Sequence, residues 1–343
     1  MSGKFAPYLI VALSLMAWAT PGADASSSTY CKRAIEVPVL RHNGNLDRMA
    51  TIVNGFAVVD SGLWITQSRS SQILFRSTMG HERVITLTDA EPVGLVAGKR
   101  GAWFIEQGFS ETGAGGQSLR VGLIDPELAI HQFSSSAVVG AQRLTLTPEG
   151  SVAVLNSSTR RVVILDDQGR VTPVAIPATV VPVELAYARD GAMWMSGESS
   201  SSQGSWIGRL AGGRWTLFPI DGLPSRLHPF EAHGIAYLNW YGSIIGHADI
   251  GKRPTVLRKL KADAMALASP TDNGLWYVDL RTQSLWRTRI VGSPTLMATG
   301  SIDLLVSKDS AVWYSDQKNR LVEITPSTGG AHCRDRGAGR YSG

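Results

Sequence analysis

The sequence predicts an all-β protein, a seven-bladed β-propeller, on three observations: a strand hairpin that recurs seven times, a composition rich in glycine and tryptophan, and no helical stripe. The hairpin is clearest at residues 273–290, NGLWYVDLRTQSLWRTRI. There an aromatic and aliphatic run opened by Gly274 meets a polar loop at Arg281, Thr282 and Gln283, then an alternating run from Ser284. β-Branched and aromatic residues bounded by turn formers mark strands. Across 343 residues there are 36 glycines and 10 tryptophans with only 18% charged residues, which suits a turn-rich β protein, and the 43% hydrophobic content supplies a sizeable core. No long run carries the 3.6-residue apolar period of a surface helix.

The chain opens with the parts of a secretory signal. Lys4 precedes the apolar stretch FAPYLIVALSLMAWA, and small residues ending Ala23-Asp24-Ala25 follow, so residues 1–25 are expected to be a signal peptide cleaved after Ala25. The apolar segment is shorter than the roughly 20 residues a membrane-spanning helix needs. No later segment resembles one, so the mature protein is expected to be periplasmic or secreted. No lipobox-type run of small residues precedes Cys31. The two cysteines, Cys31 and Cys333, stand near opposite ends of the mature chain and in an oxidising compartment form a candidate disulfide.

Self-similarity at fixed period decides the architecture. A large residue follows an opening turn at Trp64, Trp103, Trp194, Tyr237, Trp276 and Trp313, with Ala153 filling the same place in one copy. Successive spacings are 39, 50, 41, 43, 39 and 37 residues, the period of a four-stranded propeller blade. One blade cannot cover its own apolar faces; a closed ring can.

Each copy repeats one grammar of four strands. A short apolar inner strand such as PVGLVAG or PVELAYA precedes the marker strand, and a third strand follows a polar loop, as in SQILFRST, SLRVGLID, RRVVILDD and SWIGRLAG. Turn chemistry at Asp166-Asp167-Gln168-Gly169 or Ala211-Gly212-Gly213 then leads to an outer strand. After NRLVEIT the last copy has little room for an outer strand, while AIEVPVL, residues 34–40, has no partner ahead of the first blade. That N-terminal strand is expected to complete the seventh blade, making residues 31–333 one propeller domain and residues 334–343 a basic, disordered tail. Closure would bring Cys31 and Cys333 together. A bridge across roughly 300 residues stabilises by about 5–6 kcal/mol on the chain-entropy account.

The alternation of P-x-x-apolar, G-x-x-W-aromatic-x-polar and S-W-I-G-R-L is similar to the repeats of the virginiamycin B lyase family, and more distantly to NHL-type and gluconolactonase-like propellers. The likeness covers essentially the whole mature chain as blade grammar. It implies a seven-bladed ring. For activity it implies opening of a cyclic depsipeptide by elimination, with histidines just after the inner-strand proline, an acidic residue beyond a marker strand, and Mg²⁺.

The residues at the position after the inner-strand proline are Asn54, Val93, Gln142, Val183, Arg226, Asp263 and Ile302, and none is histidine. His233-Gly234 stands too close to Tyr237 and reads as a turn. His228 remains as a candidate base, with Glu106 beside it as a second.

Geometry then selects what lines the mouth. The end of a marker strand and the start of the inner strand should emerge together near the axis. Three residues past the markers stand Gln67, Glu106, Asn156, Gly197, Trp240, Asp279 and Asp316; at inner-strand starts stand Arg143, Glu184, Arg226, Asp263 and Asp303. Gln67, Asn156, Trp240, Arg143 and Arg226 are therefore candidate ligand-binding residues. Asp263, Asp279, Asp303 and Asp316 would converge on one side of the opening, and oxygen ligands of this kind suit Ca²⁺ or Mg²⁺. Alternatively they cap hairpin turns. A further alternative is that Arg143 and Arg226, on the opposite side, pair with those acids across the pore or hold an anionic ligand group. Gly- and Ser-rich loops at residues 109–118 and 196–205 are lids over the mouth or plain surface insertions.

No G-x-S-x-G elbow, P-loop or paired Cys/His metal spacing is present. Asn156-Ser157-Ser158 matches a glycosylation sequon. The net charge of +5 includes Lys252, Arg253, Arg258, Lys259 and Lys261 around one outer strand. It reads as a solvated edge or a contact for an anionic envelope surface, and without interleaved aromatics it excludes nucleic acid as partner. Two functional classes follow. One is a monomeric exported propeller binding a small molecule, peptide or envelope component at its mouth. The other is a metal-assisted lyase or lactonase acting on a cyclic ester.

Overall fold

The structure, a computed structural model, describes residues 30–40, 53–68, 70–88, 90–108, 118–199, 204–239, 243–260, 263–270, 274–289, 293–300, 302–316 and 319–327. The expected signal peptide, Cys333, Trp240 and the tail from residue 334 lie outside the described residues. All regular elements among the described residues are strands, and no helix there is long and apolar enough to cross a membrane.

The first strand, β1 (Tyr30–Glu36), stands apart from the blade that follows it in sequence. Blade one holds β2 (Val53–Val59), β3 (Gly62–Gln67), β4 (Gln72–Ser77) and β5 (Glu82–Thr86). Blade two holds β6 (Ala90–Gly98), β7 (Gly101–Gly108), β8 (Ser118–Ile124) and β9 (Ile130–Phe133). Blade three follows with β10 (Arg143–Leu146), β11 (Val152–Asn156), β12 (Arg161–Leu165) and β13 (Val171–Val174). In blade four are β14 (Val180–Tyr187), β15 (Met193–Ser199), β16 (Ser205–Ala211) and β17 (Arg214–Ile220). Blade five comprises β18 (Pro224–Phe230), β19 (Gly234–Asn239), β20 (Ile244–Ala248) and β21 (Thr255–Lys259). Blade six comprises β22 (Ala264–Ala268), β23 (Leu275–Asp279), β24 (Ser284–Thr288) and β25 (Thr295–Ala298). Blade seven contributes β26 (Ile302–Lys308), β27 (Ala311–Asp316) and β28 (Arg320–Pro326), and β1 is its fourth strand, so the order is β1-β28-β27-β26.

The seam is thus closed by the leading segment, as expected, but by residues 30–36, so that of the expected strand 34–40 only residues 34–36 take part. β1 pairs antiparallel with β28 from Tyr30↔Pro326 to Glu36↔Arg320 and stops there. Val37 still donates its amide to the Asn319 carbonyl at 3.1 Å, and then Pro38, with no N–H to give, ends the ladder. The chain turns onto blade one, where the buried Gln67 side chain accepts from the Leu40 amide at 2.7 Å and donates to the Pro38 carbonyl at 2.9 Å.

Packing shows why the ring is the stable arrangement. Buried apolar residues fall into seven clusters, each drawn from two neighbouring blades, so every blade face is covered by the next. Trp103 packs with Val152 and Val154 of blade three, and Trp276 with Leu305 and Val312 of blade seven. Where blade three offers only Ala153, Met193, Met195 and Trp206 of blade four fill the space.

Blade five departs from the expected register. Ala236, not Tyr237, occupies the marker place, and Tyr237 points to the opposite face, toward blade four. Its ring lies where a Cβ on Gly246 would come within 2.1 Å of it, so only glycine fits on the neighbouring strand. A one-residue slip reverses a strand's faces, so among the described residues the one three places past the marker of this blade is Asn239, paired with Pro224.

Candidate functional site at the channel mouth

At one end of the ring each inner strand begins beside the end of its marker strand. The pairs there are Val53↔Gln67, Pro92↔Glu106, Arg143↔Leu155, Pro182↔Gly197, Pro224↔Asn239, Ala264↔Asp279 and Ile302↔Asp316. The two sets of residues expected to share the mouth therefore do share one end of the blades.

The inner strands carry a feature that sequence reading missed. In blades one, two, four, five, six and seven the register shifts by a bulge near this end, while β10 of blade three pairs regularly. A bulge lifts a residue out of the ladder and re-aims its side chain. In blade two the bulge holds Gly94 at φ 61°, and in blade five it holds Arg226 at φ 52°. The parallel was visible as P-V-G-L at residues 92–95 and P-S-R-L at residues 224–227. The left-handed conformation costs a residue with a Cβ about 1–2 kcal/mol, which glycine avoids.

Arg226 belongs to a charged group at the mouth that spans three blades. Glu184, largely buried, lies between two arginines: Arg143 Nε approaches one carboxylate oxygen at 3.6 Å, and the Arg226 amide donates to the other at 3.3 Å. Both arginine side chains are exposed. Rather than reaching across the pore to the aspartates, they share the acid of the blade between them.

Other expected mouth residues serve the scaffold. Besides Leu40 and Pro38, the Gln67 amide contacts Asn319 at 3.4 Å, so it ties the closing segment to blades one and seven and presents nothing to a ligand. Asn156 is buried, donates to the Val139 carbonyl at 2.9 Å and accepts the Thr159 amide at 3.0 Å. In that setting the sequon is closed to modification in the folded protein. Glu106 is fully buried; Arg120 Nε lies 2.5 Å from one oxygen and Gln132 donates to the other at 2.7 Å. It shares a sheet face with Phe104, which packs toward blade one, so it is sealed between blades.

The aspartates divide in the same way. Asp279 accepts the amides of Arg281 and Thr282, both at 2.9 Å, closing the polar loop after its strand. Asp316 accepts the Arg320 amide at 3.0 Å and holds that guanidinium at 2.9 and 2.6 Å. Asp263 is exposed and accepts the Ser243 hydroxyl. Asp303 begins its strand beside Ile302, and its side chain lies outside the described residues. Among the described residues no three of His, Cys, Asp and Glu come together to hold a metal ion, so the expected Mg²⁺ or Ca²⁺ finds no ready ligand set there.

His228 lies on β18 opposite Ala236. Desolvation, reinforced by the neighbouring Arg226 charge, pushes its pKa down to about 4, so it is neutral at pH 7 and a feeble acceptor of a carbon-bound proton. His233 is a turn residue, as its spacing predicted; its Nδ1 sits 3.1 Å from Asp190 at the opposite end of the blades.

No family model matches this sequence, and no curated protein matches it. Likeness is found among solved structures. Virginiamycin B lyase from Staphylococcus aureus superposes with a TM-score of 0.67 at 17% identity, covering 86% of this chain and 99% of that one. A streptogramin B lyase gives 0.67 at 15% identity, over 87% of this chain and 98% of that one. A structure of YCF48 bound to D1 peptide gives 0.61 at 13% identity, over 88% and 100%. The expected fold and its distant likeness to the lyase are therefore found together, and at these identities the likeness is one of fold.

Proposed function

We propose that this chain is an exported propeller that binds a ligand or partner at its mouth and performs no elimination or hydrolysis there. One observation carries the reading. The groups that would do chemistry are already engaged or muted: Glu106 by Arg120 and Gln132, Asp279 and Asp316 by their own turns, and His228 by desolvation. What faces solvent at the same end are the Arg143 and Arg226 side chains and Asp263, which is engaged by the Ser243 hydroxyl, with exposed Leu119 and Leu280 on blades two and six. The lyase and lactonase chemistry implied by fold likeness needs a base aimed at an acidic C–H or a metal-bound water.

Turnover of a panel of cyclic depsipeptides, esters and lactones is expected to stay at the uncatalysed rate with or without Mg²⁺ or Ca²⁺. Sustained turnover abolished by chelator overturns the reading.

Export and the bridge between Cys31 and Cys333 belong to the same proposal. Cys31 pairs with Thr325 across the seam, and Cys333 follows Thr325 by only eight positions in the chain, within reach of an extended segment. Protein recovered from outside the cytoplasm is expected to begin at Ser26 and to weigh two hydrogens less before reduction than after. Two titratable thiols in the folded, exported protein would remove the bridge.

A further inference from the structure

We propose that Arg143, Glu184 and Arg226 form a carboxylate-recognition subsite of the mouth; this rests on the mouth being a binding surface and adds the chemical class of what binds. The three residues stand at corresponding places near the heads of successive inner strands, in blades three, four and five. Glu184 is held from both sides, by Arg143 Nε at 3.6 Å and by the Arg226 amide at 3.3 Å. Because Arg226 uses its backbone for this contact, its exposed guanidinium makes no hydrogen bond or ion pair with the described residues. Half of the Arg143 side chain is also open to solvent, at 50%.

The charge balance selects the ligand. Two guanidiniums and one carboxylate leave a single positive charge, and neutral His228 adds none. One carboxylate neutralises the group, whereas a phosphate dianion overshoots it. A guanidinium offers a planar pair of donors matched to a carboxylate's two oxygens.

The backbone supplies an independent argument. Among the described residues, Arg226 is the one non-glycine residue in the left-handed region inside an inner strand; the others lie between strands. Blade two fills the matching bulge with Gly94. A sequence shaped for stability alone would place glycine or asparagine at residue 226. Retaining arginine there trades backbone ease for a cation exposed at the mouth.

The test uses one randomised hexapeptide pool made twice, with free C-terminal carboxylates and as carboxamides, passed over immobilised mature protein at fixed ionic strength. Benzoate against benzamide, and hexanoate against hexanamide, are titrated alongside by ligand-observed NMR. The acid forms are expected to be retained about tenfold better than the amides in at least one arm. The peptide arm would identify a chain terminus as the source, and the small-acid arm a free organic acid. Arg226→Gln and Arg143→Gln are expected to erase the preference, and Arg226→Gly to erase it while melting no lower than wild type. Equal retention of acid and amide overturns the subsite but leaves mouth binding standing. A preference surviving Arg226→Gln overturns the assignment to this group. Retention of neither form in either arm overturns both the subsite and the reading of the mouth on which it rests.

Discussion

A mature chain that begins at Val37, lacking β1, is expected to melt at least about 10 °C below a chain beginning at Ser26, or to aggregate before it can be measured. With both chains melted under reducing conditions, so that the proposed Cys31–Cys333 bridge does not contribute, the loss has three parts. Seven residues of antiparallel pairing between β1 and β28 disappear, leaving β28 as an open edge that invites association with other chains. Tyr30 no longer meets Trp276 edge-on at 5.6 Å, nor lies beneath the Arg287 guanidinium at 5.3 Å, contacts that tie the seam to blade six. Ile35 leaves the cluster that joins blades seven and one. Partial burial of the two large side chains stabilises by about 1–2 kcal/mol each, and the aromatic and cation contacts by about 1 kcal/mol more. With the strand pairing, the total is about 5 kcal/mol, and each kcal/mol moves a domain of this size by roughly 2 °C. Thermal melts followed by circular dichroism give the shift. A synthetic peptide of residues 30–40 added in excess should restore much of it, since binding to the folded state alone stabilises by mass action. A truncated chain that melts within about 2 °C of the longer one would show that the ring does not depend on this strand for closure.

That seam was legible in the sequence only in outline. The period of the large residues revealed seven blades, because each blade repeats one packing problem and solves it with the same residue types. The leading segment was recognisable as the missing strand because the last copy ran short of one. Its register was not legible: apolar residues 34–40 look like the strand, and only the pairing shows that Pro38 ends the ladder and Gln67 takes over. At the mouth the gap is wider. Counting from a marker gives the right end of the blade, but it cannot tell a side chain sealed between blades, such as Glu106, from one open to solvent, such as Arg226. In blade five the count itself slipped by one, since Ala236 and Tyr237 are adjacent and periodicity favours the larger residue. The coupling of Arg143, Glu184 and Arg226 required knowing that the inner strands of blades four and five are bulged near their heads while that of blade three pairs regularly.

Between pH 6.5 and 4 the stability of the wild type is expected to fall by up to about 3 kcal/mol through His228 alone, and His228→Asn to remove most of that slope. Burial, then the Arg226 charge, lowers the folded-state pKa of this imidazole from 6.5 to about 4. Above pH 6.5 it is neutral in both states and contributes no pH dependence. Below 6.5 the unfolded chain binds a proton that the folded chain refuses, so unfolding becomes easier with each step down, until near pH 4 the folded state protonates too and the curve flattens. His247, lowered by burial as well, adds a shallower slope of the same sign. Glu323, raised by burial above its usual 4.5, works in the opposite direction where it titrates. Aspartates held low by their partners, among them Asp190 and Asp249, weaken the fold only below about their unfolded value of 3.8, outside this window. Urea unfolding at fixed ionic strength across pH 4–7 measures the slope directly. An equal slope in wild type and His228→Asn would mean that His228 is as accessible to protons in the folded ring as in the unfolded chain. Its neutrality near pH 7 is also what holds the arginine group at a single positive charge.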